Sequence, residues 1–370
     1  MNILIDAHIF DDKYQGTRTY IKGLYSALIP IAKDWNFFFV ANDIENLKKE
    51  FGTHSNVHYL QYNSTNKYYR LLVDLPRIVK ENAIDFAHYQ YITPFFNDCK
   101  TIVTTHDILF KEKRFKKYFP LKYRLINGFL FQLSAKKAGI LLTVSEYSRE
   151  KISKYYNLPA SNIYVTPNAV SEDFVCDKKG SVKEKYNLDQ YILYVSRIEP
   201  RKNHLALLQA YVGLKLWEKD CKLVFIGVED IVSEELIDYK EKHKSVLKDN
   251  VLWLEGIAYD ELKCFYQDCE LFVFPSFAEG FGIPPLEAIS MGKKVLCSNA
   301  TAMKDFNFPE RMSFIPSDVE ELKVKITSAL ENDGDLSQIK KELLSKYNWG
   351  QIASDFQNII TEEIKRNKNV

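Results

Sequence analysis

The feature that most restricts this chain is a repeated alternation of short, near-continuous apolar runs with longer amphipathic stretches. In the first half the runs predict strands at Asn2–Ala7, Phe37–Ala41, Val57–Gln61, Ile84–Tyr89, Thr101–Thr105, Ile140–Ser145 and Ile163–Thr166. Several lack the period-two alternation of a half-exposed strand, as strands buried on both faces of a parallel sheet do. Helices are predicted between them, near Thr17–Lys33, Tyr68–Asn82, Leu121–Lys137 and Glu146–Tyr156. Strands separated by helical crossovers pair in parallel, so the pattern predicts an α/β, doubly wound sheet.

The pattern restarts after Ser171–Lys185, a polar, charged stretch that reads as a linker. Strands are then predicted at Tyr191–Ser196, Leu223–Gly227, Val251–Leu254, Leu271–Pro275, Val295–Ser298 and Ser313–Ile315. The helices between them fall near His204–Leu216, Ser233–His243, Asp260–Gln267, Pro285–Met291 and Val319–Leu330. A length of 370 residues suits two domains. The expected division is a Rossmann-like domain over 1–172, a second over 186–346, and a C-terminal helix in 347–370 built on the amphipathic stretch Gln351–Arg366. Open sheets of this kind bind ligands at the carboxyl ends of their strands, so two facing domains imply a cleft between them.

Composition excludes several classes. A formal net charge of +1 gives no global field for nucleic acid, and no nucleic-acid-binding motif is present. The six cysteines form no Cys-x-x-Cys and have no His partners at metal spacing, so no metal site is expected. MNILIDAHIF lacks a basic region ahead of its apolar run and reads as a strand, not a signal peptide. No apolar run reaches the roughly 18 residues of a membrane span. Free thiols without an export signal point to the cytoplasm.

The segment richest in chemistry is PSFAEGFGIPPLEAISMG, Pro275–Gly292. A buried strand runs into Glu279-Gly280-Phe281-Gly282-Ile283, and Pro284 and Pro285 then open a helix that Gly292 closes. Gly280 and Gly282 permit close backbone approach to a ligand, and the helix start offers free N–H groups and a positive dipole end. Glu279 and Glu287 add two carboxylates able to accept bonds from hydroxyls. A phosphate or a sugar fits this set; the bland alternative is a Gly turn with a Glu on the helix dipole.

A second segment, YVSRIEPRKN at Tyr194–Asn203, follows the first strand of the second sheet. Arg197 and Lys202 stand five apart across a turn, a fork and a point charge suited to a diphosphate. Arg201 between them is expected to be solvated. No G-x-G-x-x-G follows the first strand, which argues against a dinucleotide-dependent oxidoreductase.

Glu279 through Glu287 with its Glu-Gly-Phe-Gly opening resembles the signature of family-4 retaining glycosyltransferases, and the Arg197/Lys202 spacing resembles that family's diphosphate pair. Gly16-Thr17-Arg18-Thr19-Tyr20, Thr105-His106-Asp107, Val144–Ser148, Thr166–Ala169 and the Trp349 region are similar to family segments as well. The resemblance implies a GT-B fold whose last helix returns to the N-terminal domain. It implies hexosyl transfer from a nucleotide sugar, GDP-mannose first and UDP-sugars next, to a saccharide or lipid-linked acceptor in surface polysaccharide synthesis. The reaction would retain configuration and need no metal or cofactor.

The implied roles follow residue by residue. Arg197 and Lys202 hold the diphosphate, Glu287 the ribose and Glu279 the sugar. The amides of Phe281, Gly282 and Ile283 touch sugar or phosphate, His106 the sugar and Gly16 the phosphates. Ser196 stands where relatives often have Gly, and Ser298–Met303 lacks a common Pro-Glu, departures expected to affect the acceptor more than the donor. A nucleotide-sugar isomerase or hydrolase, or a binding protein with a dead site, are the rival readings.

Phe110–Arg124 interleaves aromatics with Lys111, Lys113, Arg114, Lys116, Lys117, Lys122 and Arg124 against the single acid Glu112. Such a segment suits peripheral contact with anionic lipid at the inner face of the membrane, or simply a solvated loop.

Overall fold

The computed structural model describes residues 1–11, 16–171, 174, 181–332 and 334–368. The chain forms two compact units, Met1–Ala169 together with Tyr347–Val370, and Val170–Lys346.

The first unit holds β1 (Asn2–Asp6), β2 (Asn36–Ala41), β3 (Val57–Gln61), β4 (Phe86–Gln90), β5 (Lys100–Thr104), β6 (Ile140–Thr143) and β7 (Ile163–Val165). Their order is β3-β2-β1-β4-β5-β6-β7, with every pairing parallel. The second unit holds β8 (Gln190–Val195), β9 (Cys221–Ile226), β10 (Val251–Leu254), β11 (Leu271–Phe274), β12 (Lys294–Ser298) and β13 (Ser313–Phe314). Its order is β10-β9-β8-β11-β12-β13, again all parallel. The strand order reverses between β1 and β4 in one sheet and between β8 and β11 in the other. Connections there leave to opposite sides and open a crevice at the carboxyl ends.

Helix Gly16–Ile31 buries Tyr20, Ile21, Leu24, Tyr25, Leu28 and Ile29, a stripe at helical spacing. The chain returns to this unit through helix Trp349–Lys368. Gly23 makes that possible: a Cβ there would lie 2.1 Å from Cε2 of Trp349. Phe356 packs 6.2 Å from Tyr25, and Lys100 pairs with Glu363 at 3.0 Å.

Three expectations are corrected. The single helix expected over Tyr68–Asn82 is a helical turn at Lys67–Tyr69, a π-turn at Arg70–Asp74 and a helix at Leu75–Glu81. Pro76 has no N–H to return to Leu72, so the ladder cannot run through unbroken. Free thiols hold at Cys99, Cys221, Cys269 and Cys297, but Cys264 is disulfide-bonded, which spacing alone could not reveal. Helix Ser181–Tyr186 starts inside the expected linker, most of which lies outside the described residues. Helices Ile44–Phe51, Lys244–Asn250 and Ser337–Lys346 were not expected. Among the described residues no helix is long and apolar enough to cross a membrane.

Candidate functional site

The turns after β8 and β11 meet at the switch point of the second sheet. Parallel register sets Ile192 beside Leu271 and Leu193 beside Phe272, so the two strands end side by side. The amide of Phe277 donates to the carbonyl of Arg201 at 2.8 Å. The Tyr194 hydroxyl, from within β8, donates to the Lys202 carbonyl at 2.7 Å and lies 3.2 Å from Ser276 Oγ.

On this frame the charged side chains form one connected series. Asp230 pairs with Arg197 at 3.0 Å, and Arg197 reaches Glu199 at 3.8 Å. Glu199 pairs with Arg201 at 2.7 Å, Arg201 with Glu279 at 3.2 Å, and Glu279 with Lys202 at 2.6 Å. Three cations thus alternate with three carboxylates. Arg197 is 51% exposed, whereas Arg201 and Lys202 are each 12% exposed. Arg201 is therefore not the solvated residue expected: its guanidinium also donates to the Ala278 carbonyl at 2.8 Å and anchors the loop that carries Glu279. Burial pushes the Glu279 carboxyl up, but the Lys202 ammonium and Arg201 guanidinium outweigh it and hold it below the ordinary range.

The Gly-rich loop has the backbone its sequence implies. Gly282 sits at φ +92, where a side chain would be strained, and Phe281 is buried edge-on against Phe306 at 5.5 Å. Ile283 precedes helix Pro284–Ser290, and Gly292 at φ +71 closes it. Glu287 in that helix accepts a 2.6 Å bond from the Tyr266 hydroxyl. Burial raises its carboxyl to about 7, against the lowering effect of that bond.

Two positions escaped the sequence. Gly227 after β9 is required by close approach, since a Cβ there would lie 2.0 Å from the Ser196 carbonyl oxygen. It fixes the backbone from which Arg197 projects, and a lone Gly after a strand gave no such signal. Thr301 stands at φ +50 with its Oγ1 accepting the Glu279 amide at 2.9 Å. The Ser298–Met303 segment thus touches the loop bearing Glu279.

In the first unit the resembling segments converge on Tyr20. Its ring lies 5.2 Å from His106 and 6.2 Å from Trp349, and its hydroxyl is 2.7 Å from Thr166 Oγ1. Ser148 Oγ donates to the His106 carbonyl at 2.9 Å. His106 Nε2 is 2.7 Å from Gln90 Oε1, which accepts, so the neutral ring carries its proton on Nε2. Gln90 Nε2 continues to His88 Nε2 at 3.2 Å, and His88 Nδ1 to the Tyr25 hydroxyl at 2.8 Å. Burial pushes His106 down to about 3 and His88 likewise, the latter with a contribution from His106. Gly16 is the exposed first residue of its helix, and a Cβ there would meet nothing within 4 Å, so its own unit places no steric demand on glycine.

An open pocket of about 670 Å³ lies at the carboxyl edge of β1, β2 and β3, lined among others by His8, Asp11, Asn42, Gln61, Thr65 and Arg70. Behind it buried Asp6 receives His8 Nδ1 at 2.8 Å and the Tyr62 hydroxyl at 2.6 Å, with Arg70 at 3.8 Å. Burial opposes ionisation of Asp6, but Arg70 and His8 prevail and hold it far below the usual carboxylate range.

Two Rossmann-like units with all-parallel sheets, the first completed by the last helix, define the GT-B class. Solved structures share it: sucrose-phosphate synthase from Thermosynechococcus elongatus at TM-score 0.74 and 17% identity, covering 99% of each chain. A glycosyltransferase from Rickettsia africae gives 0.72 and 17%, covering 98% of each. Residues 177–366 match the family described as glycosyl transferases group 1, and residues 16–174 match Glycosyltransferase Family 4. The chain belongs to the group 1, family 4 glycosyltransferases.

Among its relatives, the O-antigen chain mannosyltransferase B of Escherichia coli is 34% identical over 213 residues, 54% of this chain and 54% of the relative. The serotype-specific mannosyltransferase WbdA of Escherichia coli is 29% identical over 229 residues, 59% of this chain and 28% of the relative. The O-antigen chain mannosyltransferase RfbU of Salmonella typhimurium is 28% identical over 263 residues, 70% of this chain and 66% of the relative. The matched region thus spans about half of the first of these relatives and just over a quarter of the second.

Proposed function

We propose that this glycosyltransferase moves a hexose, mannose by preference, from a guanosine-diphosphate sugar to a saccharide acceptor of a surface polysaccharide, with retained configuration and without a metal. The observation that carries the proposal is the Arg197–Glu199–Arg201–Glu279–Lys202 series at the mouth of the second sheet. The mannosyltransferase relatives support the choice of sugar.

In the proposed step the bond from the anomeric carbon to the diphosphate breaks, and its electron pair leaves on the phosphate oxygen. Arg197 and Lys202 neutralise that growing charge, and the amides of Phe281, Gly282 and Ile283 supply further donors. Losing one such preorganised donor costs roughly 2.7–4 kcal/mol of barrier stabilisation in other enzymes. The acceptor oxygen bonds to the same face of the sugar carbon and gives its proton to the departing diphosphate. Glu287 takes the ribose hydroxyls and Glu279 the sugar. His106 serves as a neutral hydrogen-bonding group for the sugar, and Gly16 lets the first loop approach phosphate. The polar pocket beside Arg70 suits the hydroxyls of a saccharide acceptor.

A thermal-shift panel of GDP, UDP and ADP with their sugars tests the donor, since a ligand that binds only the folded state raises Tm by mass action. GDP-mannose should give the largest shift, and a shift with uridine nucleotides alone would overturn the base assignment. NMR of the product tests the stereochemistry: an inverted anomeric centre sinks the retaining reading. Donor turnover that needs no acceptor would favour an isomerase or hydrolase.

A further inference from the structure

One layer of the first unit has an outer surface unlike the rest. Tyr89 and Val103 are register partners, so they point to the same face of the sheet. Tyr89 belongs to the apolar cluster under residues 71–79, and Val103 to the cluster under Phe131 and Ala135; Ile92 packs against both. The segment Lys67–Glu81 and the helix Leu121–Lys137 therefore cover one face side by side. The turn at Phe95 and Phe96 is pinned between them, by Thr93 N on Ser134 Oγ at 3.0 Å and by the Tyr89 hydroxyl on Asn97 Oδ1 at 2.9 Å.

The outer side of this layer is apolar. Eleven of the eighteen exposed large apolar side chains among the described residues lie on it, so the exposure is concentrated, not scattered. Helix Leu121–Lys137 buries Phe131 and Ala135 inward, yet turns Leu121, Leu125 and Phe129 outward at successive i+4 positions. Leu125 and Phe129 are each 65% exposed, and Phe96 is 75% exposed. The flanks are basic. From Lys113 to Ser145 the chain has eight Lys and Arg and not one Asp or Glu, although its net charge is only +1. Of the aromatics in Phe110–Arg124, Phe110 and Phe115 are buried, 2% and 5% exposed, whereas Tyr123 stands exposed on this face.

We infer that this layer is a docking face for an anionic lipid bilayer, with Leu121, Leu125, Phe129, Phe95, Phe96 and Leu72 entering the headgroup region and Lys116, Lys117 and Lys122 meeting lipid phosphates. Apolar burial and lysine attraction act together at such a surface. A second copy of the chain fits it less well, because a twofold contact would bring two strongly basic segments together. The inference stands on surface chemistry and does not depend on which sugar is moved.

Vesicle cosedimentation of the full chain tests it, with phosphatidylglycerol–phosphatidylcholine mixtures, phosphatidylcholine alone, and low and high salt. Binding is expected to the anionic vesicles at low salt. Leu125→Ser with Phe129→Ser, which leaves every charge in place, should weaken it by about tenfold or more. Each of Lys116→Gln, Lys117→Gln and Lys122→Gln should weaken it about fivefold. These side chains point outward, so the melting temperature and the nucleotide-induced shift should not change, which separates this test from that of the donor site. Three results would overturn the inference: no binding to anionic vesicles at low salt, unchanged binding of the Leu125/Phe129 variant, or a dimer in sedimentation velocity that the same variant dissociates.

Discussion

The ammonium of Lys202 sits 2.6 Å from a carboxylate oxygen of Glu279, and the two side chains are only 12% and 9% exposed. A pair so enclosed ties binding chemistry to folding. Lys202→Met should abolish most donor turnover and lower stability by about 3 kcal/mol, the lower end for breaking a buried pair, because Arg201 still holds the carboxylate. Adding Glu279→Gln should restore much of the stability and none of the turnover. Urea unfolding and kcat/KM measured on both variants separate the two effects.

Glu279 also makes an acid-side prediction. Its carboxyl is held below the ordinary range in the folded state despite its burial. The stabilisation it contributes is therefore complete above the unfolded carboxylate pKa of about 4.3 and is lost as pH falls below that. The wild-type Tm should fall more steeply than that of Glu279→Gln between about pH 5 and 3. Equal slopes would mean the pair is not ionised as drawn.

Glu287 has the opposite sign. Burial raises its carboxyl to about 7. Its contribution to stability is full below the unfolded value of about 4.3 and is lost as pH rises towards 7. The ionised form is the one with full capacity to accept ribose hydroxyls. Nucleotide affinity should thus rise between pH 6 and pH 8 in the wild type and stay flat in Glu287→Gln, read by calorimetric titration across that range.

Much of this was legible in the sequence for a simple reason. Strands buried on both faces carry near-continuous apolar runs, as most of these do, and the strands from β1 to β13 were placed with ends displaced by a residue or two; β3, with His58 and Gln61 exposed, is an exception to the burial. Arg197, Lys202 and Glu279 could be singled out because they lie in the turns after β8 and β11, and Glu287 because it lies in the helix that follows. Arg201 could not, because whether a surface-type residue is solvated depends on Glu199 and Glu279 closing over it from two turns. Nor could Thr301, whose hydroxyl meets the Glu279 amide across 22 positions of sequence. The helix Ile44–Phe51 was missed because it is short and charged; its start rests on Asp43 accepting the Asn46 amide.

Gly227 offers a test of the backbone beneath Arg197. A methyl group there would overlap the Ser196 carbonyl oxygen, so Gly227→Ala must push the turn after β8 outward. Overpacking of this kind typically costs about 1–3 kcal/mol. If Arg197 holds the diphosphate, the shift should weaken nucleoside diphosphates more than the nucleoside alone. Equal loss for both ligands would place Arg197 away from the phosphates.

His106 separates two chemistries. With its Nε2 donating to Gln90 and its pKa pushed down to about 3 by burial, the ring stays neutral throughout the working range. A histidine acting as general base would imprint an inflection near its own pKa on kcat/KM, and a base suited to neutral pH titrates near 7. The profile should therefore show no step between pH 5.5 and 8 that vanishes in His106→Asn, while that variant loses sugar-dependent affinity. Gln90→Leu should disturb the same ring by removing its acceptor, lowering turnover without adding a titration. An inflection near pH 6.5 that both substitutions remove would instead make His106 the base, and the departing diphosphate would no longer be needed to take the acceptor's proton.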